Sequence, residues 1–412
     1  MLRRYIPAAG SLAANTALAT FWQLVRVGVQ LLWTIVIARS LGIADYGRLA
    51  GIVGFAALLA TFTGIGFALL MLQQVAREPE RLGVYWRKSW VSILVLGSAI
   101  SLLFAGIGPL LLGGHAWLYL LVGVTELICL PLTMACSYAF QAHARMGVAN
   151  LLYVFIPAAN LIAGLSFAAS GVTRDLDHYI GFHAVFASIA TAAACLVVVR
   201  LLRPASASLA VSRHETSEAA GFSVMRLADN GLNAFDKTLV LRLAGTDIAG
   251  AYTAAFRIVT VLTLPVTSLA MSALPRLFRA HGRDEEHTSR FVTKLMFHTI
   301  GFGLLSAVAM WLCAPVLPWL LGPSFAPAVD AARWLCLSPL LFGLCSVGSS
   351  VLLTRGRRNQ RILSQCAGMA AMIVAGITLM PRYGLAGATL TLLVAQATTA
   401  VLVWSAVLAK PR

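Results

Sequence analysis

The sequence predicts an all-α polytopic membrane protein with about twelve transmembrane helices in two six-helix lobes. Of its 412 residues, 59% are hydrophobic and only 11% are charged, whereas a soluble domain has about 25% charged residues. Apolar runs of about 20 residues recur along the chain, and each is long enough to cross about 30 Å of hydrocarbon as a helix. The alternating segments of about ten residues that mark a transmembrane β-barrel do not occur.

The apolar runs define the candidate spans and the domain organisation. The spans cover residues 12–38, 46–71, 89–112, 116–140, 148–170, 177–200, 219–244, 250–275, 291–313, 328–354, 360–380 and 384–409. The longest connection, residues 201–218, is polar and rich in small residues. We therefore predict an N-terminal six-helix lobe (1–200), a cytoplasmic linker (201–218) and a C-terminal six-helix lobe (219–412).

The basic residues are distributed unevenly between the two sides of the membrane. A net charge of +16 suggests nucleic acid at first. With a cytoplasmic N-terminus, however, most basic loop residues fall on the inner side, and the outer loops hold only Arg39, Arg48, Arg174, Arg242 and Arg382. Cytoplasmic loops of membrane proteins collect Lys and Arg in this way. We predict a multi-pass protein with both termini in the cytoplasm, and no nucleic-acid partner.

Motifs for catalysis or metal binding are missing from the sequence. There is no GxxxxGK[ST] phosphate loop and no GxSxG elbow, and "HGRDEEH" at 281–287 lacks HExxH spacing. The seven cysteines form no CxxC pair. The first apolar stretch is too long for a cleavable signal and is expected to remain as an anchor helix. Translocation is favoured over chemistry, and we expect no enzyme activity, cofactor or metal.

Two blocks at the same topological position resemble each other. Residues 37–51 and 240–254 each join the first span of a half to its second. A gapless alignment matches Arg39 with Arg242, Gly42 with Gly245, and Gly47 with Gly250. Six helices return the chain to its starting side, so a parallel repeat of six plus six helices follows. The alternative is a shared loop chemistry without common ancestry.

The seventh span carries an unusual polar face. Its polar members follow the spacing of one helical face and are Arg226, Asp229, Asn230, Asn233, Asp236 and Lys237. Each charge facing lipid at mid-bilayer costs about 2.5–3.5 kcal/mol on the insertion scale. The face therefore has to meet protein or water. Within the helix, Arg226 and Asp229 can instead form a structural ion pair at i, i+3.

The first span has a similar face. Its polar residues share a narrow arc and are Asn15, Arg26, Gln30 and Thr34. Further isolated charges are Glu126 in span four and Arg257 in span eight. The economical arrangement is a central water-filled cavity lined by spans one, two, seven and eight. Arg26 has no acidic neighbour on its own helix, so it is the strongest cavity candidate. The alternative is that these charges form buried ion pairs that lock helices together.

The order of these features resembles the polysaccharide-transporter family. This family holds the O-antigen and exopolysaccharide flippases (lipopolysaccharide biosynthesis proteins) of the multidrug/oligosaccharidyl-lipid/polysaccharide (MOP) exporter superfamily. The resemblance spans the whole chain, and its markers are Arg39, Gly42, Tyr46 and Gly47, then Asp236, Gly245, Gly250, Tyr252, Arg257 and Pro275, and finally "YGLAGAT" at 383–389. It implies two six-helix lobes in a MATE-like V shape and alternating access.

The resemblance also implies a substrate and a location. Such proteins move an undecaprenyl-diphosphate-linked oligosaccharide from the inner to the outer leaflet of the bacterial inner membrane for surface polysaccharide biosynthesis. They place cavity charges where this chain has Arg26, Arg226 and Arg257. Arginine suits a diphosphate because its planar fork binds two phosphate oxygens. The expected partners are the lipid-linked oligosaccharide, membrane lipids, and a polysaccharide polymerase with its chain-length regulator.

Two other functions stay open at this point. A MATE-like drug/cation antiporter has the same architecture and needs a net acidic, aromatic cavity, whereas the candidate charges here are slightly cationic. A non-transporting scaffold of a glycan assembly complex has no need for an expensive polar core. If transport uses an ion gradient, the acidic candidates for coupling to a proton or Na⁺ are Asp229, Asp236 and Glu126.

Overall fold

The computed structural model describes residues 12–205, 211–266 and 285–409, without the side chains of 12–17, 65, 225, 226, 228–233 and 285–289. The regular secondary-structure elements among these residues are all helices. The helices are α1 (Leu12–Leu59), α2 (Ile65–Arg77), α3 (Leu82–Leu112), α4 (Ala116–Gly123), α5 (Leu130–Ala142), α6 (Met146–Ala169), α7 (Leu176–Leu202), α8 (Arg213–Ala244), α9 (Thr246–Leu262), α10 (Glu285–Cys313), α11 (Val316–Leu321), α12 (Ala328–Trp334), α13 (Ser338–Thr354) and α14 (Arg358–Leu408). A π-helical turn, Val124–Cys129, joins α4 to α5.

The predicted all-α polytopic class is confirmed. Among the described residues, nine helices are long and apolar enough to cross a membrane. Two of them, α1 and α14, are bent at Gly42 and Gly384. α1 covers the predicted span at 12–38 and the first part of that at 46–71, and α14 covers the spans at 360–380 and 384–409. The charged helix α8 corresponds to a further predicted span and is too polar to be counted with the nine. Residues 267–275, the end of the eighth predicted span, lie outside the described residues.

Two predicted spans are interrupted rather than continuous. The span at 46–71 breaks at a 3₁₀ turn, Ala60–Phe62, after which Gly64 adopts a φ of 83° and α2 begins. The span at 328–354 contains a second 3₁₀ turn, Leu335–Leu337. Pro339 follows that turn and has no N–H to donate to the carbonyl of Leu335, which explains the break.

The chain folds into two compact units whose boundaries lie inside helices. Unit 1 comprises Met1–Leu41 and Phe55–Leu227, and unit 2 comprises Gly42–Gly54 and Ala228–Arg412. The core of unit 1 is built by α2, α3, α5, α6 and α7 around large side chains such as Trp86 and Phe140. A core cluster of unit 2 lies where α10, α13 and α14 meet. The division into lobes at the 201–218 linker stays a prediction.

The two aligned glycine blocks have matching conformations. Gly42 has φ 75° and ψ 179°, and Gly245 has φ 94° and ψ 175°, a region that glycine enters most readily. Within unit 2, the contacts of the next pair are reciprocal. A β-carbon on Gly47 would overlap the carbonyl oxygen of Thr246, and a β-carbon on Gly250 would overlap that of Ile43. These positions correspond in the alignment, so the geometry agrees with the predicted repeat.

The C-terminal end of the linker is fastened to unit 1. Ser212 and Glu215 form a capping box at the start of α8, in which each side chain accepts the backbone N–H of the other at 3.1 and 2.9 Å. Lys88 of α3 donates to both Glu215 carboxylate oxygens at 2.7 and 2.9 Å. The first turn of α8 is therefore held by a charged pair as well as by its own cap.

Candidate functional site

Arg26 lies on the first helix of unit 1 with part of its guanidinium shielded. The residue is half-buried, and its Nε atom is enclosed without a hydrogen-bond partner among the described residues. Gln30, one turn further along α1, is half-buried on the same face. Its backbone carbonyl accepts a hydrogen bond from the Thr34 hydroxyl at 2.9 Å. A buried guanidinium donor without an acceptor is costly. Arg26 is thus a half-buried cation whose Nε–H donor has no acceptor among the described residues.

Tyr153 of α6 is the polar neighbour of Arg26. The two side chains are close enough to interact electrostatically. The Tyr153 hydroxyl accepts a hydrogen bond from Gln141 of α5 at 3.1 Å, and its ring meets Tyr138 edge to face at 6.5 Å. An arginine beside aromatic rings and an amide is a suitable set of groups for an anionic, hydroxyl-rich ligand.

A second charged group lies in unit 2, where α8 meets α9. Asp236 is 2% exposed, and it accepts hydrogen bonds from Lys237 Nζ at 2.8 Å and from the Tyr252 hydroxyl at 2.7 Å. The Lys237 ammonium also lies 4.0 Å from the centre of the Phe256 ring. Arg257 is half-buried and close enough to repel Lys237 electrostatically. The structure thus brings together three of the predicted residues, Asp236, Lys237 and Arg257.

Glu126, the third acidic candidate, lies in unit 1 on the π-helical turn between α4 and α5. It is half-buried and has no hydrogen bond or ion pair within the described part of the chain. It interacts electrostatically with Tyr179 and Cys129. The remaining predicted residues are on described helices, but their side chains lie outside the described residues: Asn15 on α1, and Arg226, Asp229, Asn230 and Asn233 on α8.

Several polar residues around these groups were not predicted as site residues. Tyr153 and Gln141 beside Arg26, and His183 near Tyr179, carried no signal because single polar residues in apolar helices have no diagnostic spacing. For the Lys88–Glu215 pair, the position of Glu215 could have been predicted, since the S-x-x-E capping box that begins at Ser212 is a local sequence motif. Among the described residues, no group of three or more His, Cys, Asp or Glu side chains is arranged to hold a metal ion.

Comparison with solved structures shows a shared fold at low sequence identity. A multidrug resistance MATE family transporter of the MOP superfamily, in an inward-facing conformation, matches with a TM-score of 0.74 and 15% identity over 93% of this chain and 97% of that one. The lipid II flippase MurJ, in an inward closed conformation, matches with a TM-score of 0.75 and 13% identity over 96% and 88%. The MATE multidrug transporter DinF-BH, in a ligand complex, matches with a TM-score of 0.66 and 14% identity over 96% and 94%.

Comparison with family models gives two matches. The MatE family model matches residues 222–362. The model described as "Polysaccharide biosynthesis protein" matches residues 12–281, which is more than half of the chain. No curated protein sequence gave a significant match. The chain therefore belongs to the polysaccharide biosynthesis protein family.

Proposed function

We propose that the protein flips an undecaprenyl-diphosphate-linked oligosaccharide from the inner to the outer leaflet of the bacterial inner membrane, by alternating access, for O-antigen or exopolysaccharide biosynthesis. Membership of the polysaccharide biosynthesis protein family supports the substrate class. The fold shared with the lipid II flippase MurJ supports a lipid-linked cargo. A polysaccharide polymerase and a chain-length regulator are the partners that such a pathway requires, and both termini are expected in the cytoplasm.

The environment of Arg26 is the main structural support for the proposal. It is a half-buried cation on an apolar helix, and its enclosed Nε atom has no hydrogen-bond partner among the described residues. A structural ion pair would satisfy this group, whereas a ligand site leaves it open. A diphosphate supplies two anionic phosphate groups, which match the two-pronged geometry of a guanidinium. Gln30 and Tyr153 add amide and phenol groups that suit a sugar.

The remaining candidate residues take roles consistent with this substrate. Lys237 and Arg257 provide positive charge in unit 2, with Phe256 as an aromatic face beside Lys237. We include Asn15, Arg226, Asn230 and Asn233 as substrate-binding candidates on the basis of their sequence positions. If an ion gradient drives transport, Asp229, Asp236 and Glu126 are the acidic residues to which a proton or Na⁺ is expected to bind.

The proposal is tested by substituting Arg26 in a flippase-deficient host and measuring surface glycan. Arg26→Ala is expected to lower export by roughly ten- to hundredfold, because a hydrogen-bonded charge contributes about 1.5–3 kcal/mol. Arg26→Lys is expected to keep part of the activity, since a point charge still attracts a diphosphate. Arg174→Ala is the matched control, because Arg174 is exposed in a loop of the same unit. Membrane levels of each variant are measured in parallel.

Two results would contradict the proposal. Full export by Arg26→Ala at a normal membrane level would show that the arginine does not act on the substrate, as expected for a non-transporting scaffold. Loss of the Arg26→Ala protein from the membrane, with Arg174→Ala unaffected, would assign Arg26 to the structure of unit 1 instead.

A drug/cation antiporter is the second candidate function. The MatE model matches residues 222–362, and the MATE multidrug transporter DinF-BH shares the fold. Efflux of a cationic dye from cells that express the protein, without any restoration of surface glycan in the flippase-deficient host, would favour this function over glycolipid export.

A further inference from the structure

The π-helical turn Val124–Cys129 interrupts an otherwise regular helix inside unit 1. Pro131 follows this turn and lacks the N–H that would bond to the carbonyl of Leu127 in a regular helix. Gly97 of α3 lies against the same carbonyl, where a β-carbon would come within 2.6 Å of the oxygen. The turn is thus stabilised by tertiary packing. π-Helical turns inside α-helices occur frequently at functional sites.

Glu126 is the ionisable residue that this turn presents. It is half-buried and has neither a hydrogen bond nor an ion pair within the part of the chain that the structure describes. An acidic residue in the hydrocarbon region is expensive in its charged form and marks a functional position by default. An ion pair that neutralises Glu126 permanently, like the one at Asp236, is not present among the described residues.

The helices packed on the turn that carries Glu126 are α3, α4, α5 and α7. On α3, Gly97 lies against the Leu127 carbonyl and Ser101 lies against Gly123, and neither residue is ionisable. The ionisable neighbours are Tyr179 on α7 and Cys129 at the end of the turn itself, and both interact electrostatically with the carboxylate. Tyr119 of α4 is committed elsewhere, because its hydroxyl donates to the Gly113 carbonyl at 2.6 Å. No lysine or arginine is among these neighbours in the described chain.

Tyr179 is a buried phenol whose O–H hydrogen has no acceptor among the described hydrogen bonds. It is fully buried, and its hydroxyl oxygen accepts the indole N–H of Trp33 at 2.8 Å, so its own O–H hydrogen is not used in that bond. Phe167 meets its ring edge to face at 5.6 Å. The imidazole of His183, one turn along α7, stacks on the same phenol ring at 5.7 Å. Four residues, Trp33, Glu126, Tyr179 and His183, form what we call the Glu126 cluster.

His183 adds a second unsatisfied group to the cluster. It is only 3% exposed, and its Nδ1 atom has no hydrogen-bond partner among the described residues. Buried polar atoms are hydrogen-bonded in the large majority of cases, so the unpartnered imidazole nitrogen of His183, whose ring stacks on Tyr179, requires an explanation. A site that gains and loses a proton provides one, because its polar groups have different partners in its two protonation states.

The chemistry of the cluster suits a proton better than a metal ion. Na⁺ and the divalent hard cations require several oxygen ligands, as the 6–8 oxygens around Ca²⁺ illustrate. The cluster has a single carboxylate, and the described residues contain no group of three metal-ligating side chains. One carboxylate oxygen is sufficient to bind a proton, and a neighbouring phenol O–H stabilises the ionised state by hydrogen bonding.

We propose that Glu126 is a proton-binding site in unit 1, that the Tyr179 hydroxyl stabilises its ionised form, and that binding and release of this proton drive transport. In one state, a proton from water bonds to a carboxylate oxygen and leaves a neutral acid in the helix bundle. In the other state, the proton returns to water and the carboxylate accepts a hydrogen bond from the Tyr179 O–H, which keeps its own hydrogen. The coupling to export rests on the proposed function, whereas the proton site does not.

Infrared difference spectroscopy of the purified full-length protein in lipid nanodiscs tests the site without any transport. Shifting the buffer from neutral to acidic pH is expected to produce a carbonyl band of a protonated carboxylic acid. Glu126→Gln is expected to remove the component due to this residue, and Tyr179→Phe to shift its frequency because a hydrogen-bonding neighbour is lost. Glu215→Gln is the matched control and is expected to retain the Glu126 component.

Three outcomes would contradict the assignment of Glu126 as a proton-binding site. The first is a wild-type band that is unchanged in Glu126→Gln. The second is a band that disappears on adding Na⁺ at constant pH, which would assign the carboxylate to a cation. The third, which holds even if Glu126→Gln fails to accumulate, is a Tyr179→Phe spectrum identical to that of the wild type.

A second experiment distinguishes a failure of the proposed proton site from a failure of the proposed function. Surface glycan is measured in the flippase-deficient host across a range of external pH. Wild-type export is expected to depend on pH, and Glu126→Gln is expected to lose that dependence. If the infrared band belongs to Glu126 but the wild type exports no glycan, the proposed function fails while the proton site stands. If glycan is exported and Glu126→Gln retains the full pH dependence, the coupling fails while the proposed function stands.

Discussion

Glu126 in unit 1 and Asp236 in unit 2 are both acidic residues within predicted membrane spans, and their surroundings differ sharply. Asp236 receives hydrogen bonds from an ammonium and a phenol at 2.8 and 2.7 Å. Glu126 has no such bond among the described residues, although a phenol lies nearby. The same chemical group is therefore neutralised by fixed partners in one unit and left unpaired in the other.

The difference teaches that position in a span does not decide what a carboxylate does. A paired carboxylate stabilises its charged form through contacts that persist, and removal of one member leaves an uncompensated buried charge. An unpaired carboxylate in the same medium changes charge more readily, because no ion pair opposes protonation. The comparison favours Glu126 over Asp236 for binding a coupling proton, because the contacts of Asp236 already stabilise its charged form.

The largest expected effect comes from breaking the pair in unit 2. Asp236→Asn leaves the Lys237 ammonium without its carboxylate, and removing one partner of a buried pair costs about 3–5 kcal/mol. We expect the variant to be strongly reduced in the membrane, with a much lower midpoint of thermal unfolding in detergent. Glu126→Gln is the contrasting variant and is expected to accumulate normally, because no ion pair is lost.

A double substitution sharpens the same comparison. Asp236→Leu together with Lys237→Met replaces the pair by apolar groups, a change that is often neutral or stabilising. The double variant is expected to recover the membrane level that Asp236→Asn loses. A normal level of Asp236→Asn combined with altered ion dependence of transport would instead show that Asp236 is the coupling residue.

The Lys88–Glu215 pair is intermediate, since it lies at the start of α8 rather than within a predicted span. Its side chains are 6% and 17% exposed. Partial burial works against the charge of Glu215, but the hydrogen bonds from Lys88 and from the Ser212 N–H outweigh it, so the pKa of Glu215 is lowered from its ordinary 4.5. Glu215→Gln is expected to destabilise the protein by about 1–3 kcal/mol, because Lys88 loses its charged acceptor.

The pH dependence of this pair has a definite sign. A carboxylate whose pKa is lowered in the folded state contributes stability above its unfolded value, and the contribution is lost as pH falls through the folded pKa. The wild type is therefore expected to lose this stabilisation as pH falls from about 4.5 downward, whereas Glu215→Gln has no such component. The midpoints of thermal unfolding of the wild type and of Glu215→Gln, measured at neutral and acidic pH, test this expectation. A variant with the wild-type acid dependence would show that Glu215 contributes nothing to it.

Much of the fold was predictable because its signals are local or periodic. Runs of about 20 apolar residues specify membrane helices regardless of their neighbours. The alignment of Gly42 with Gly245 and of Gly47 with Gly250 predicted a repeat. In the structure the first pair shares a backbone conformation, and the second pair makes reciprocal contacts. The π-helical turn was not predictable, since one extra residue in an apolar run leaves the hydropathy pattern unchanged. Its marker, Pro131, also occurs in ordinary helices.

The candidate site was predicted only in part, because partners depend on packing. Asp236 and Lys237 are adjacent, and adjacent residues do not normally face each other on a helix, yet the flexible Lys237 side chain reaches the neighbouring carboxylate. The contribution of Tyr252 required the register of α9 against α8. The hydrogen bond from Trp33 to Tyr179 joins residues 146 positions apart, which no local pattern can reveal.

The smallest expected effect extends the comparison to a carboxylate outside the spans. Asp175 caps α7 by accepting the backbone N–H of His178 at 2.8 Å, and this hydrogen bond lowers the pKa of the carboxyl below its ordinary 3.8. Asp175→Ala is expected to destabilise the protein by about 0.5–2 kcal/mol, the usual contribution of an N-cap. Asp175→Asn is expected to retain most of that stability, because an amide oxygen accepts the same hydrogen bond.

The thermal midpoints of the two Asp175 variants distinguish capping from charge. Buried cysteines such as Cys129 and Cys136 report unfolding when a thiol-reactive dye reaches them. The contact between the Asp175 carboxylate and the His178 ring is exposed, and exposed contacts of this kind contribute little, so His178→Ala is expected to change the midpoint less than Asp175→Ala does. The wild type is expected to lose the contribution only at acidic pH, since the cap weakens as the carboxylate is protonated. If Asp175→Asn were as unstable as Asp175→Ala at neutral pH, the negative charge rather than the cap would stabilise α7. The exposed carboxylate would then act through electrostatics and not through the geometry of the helix end.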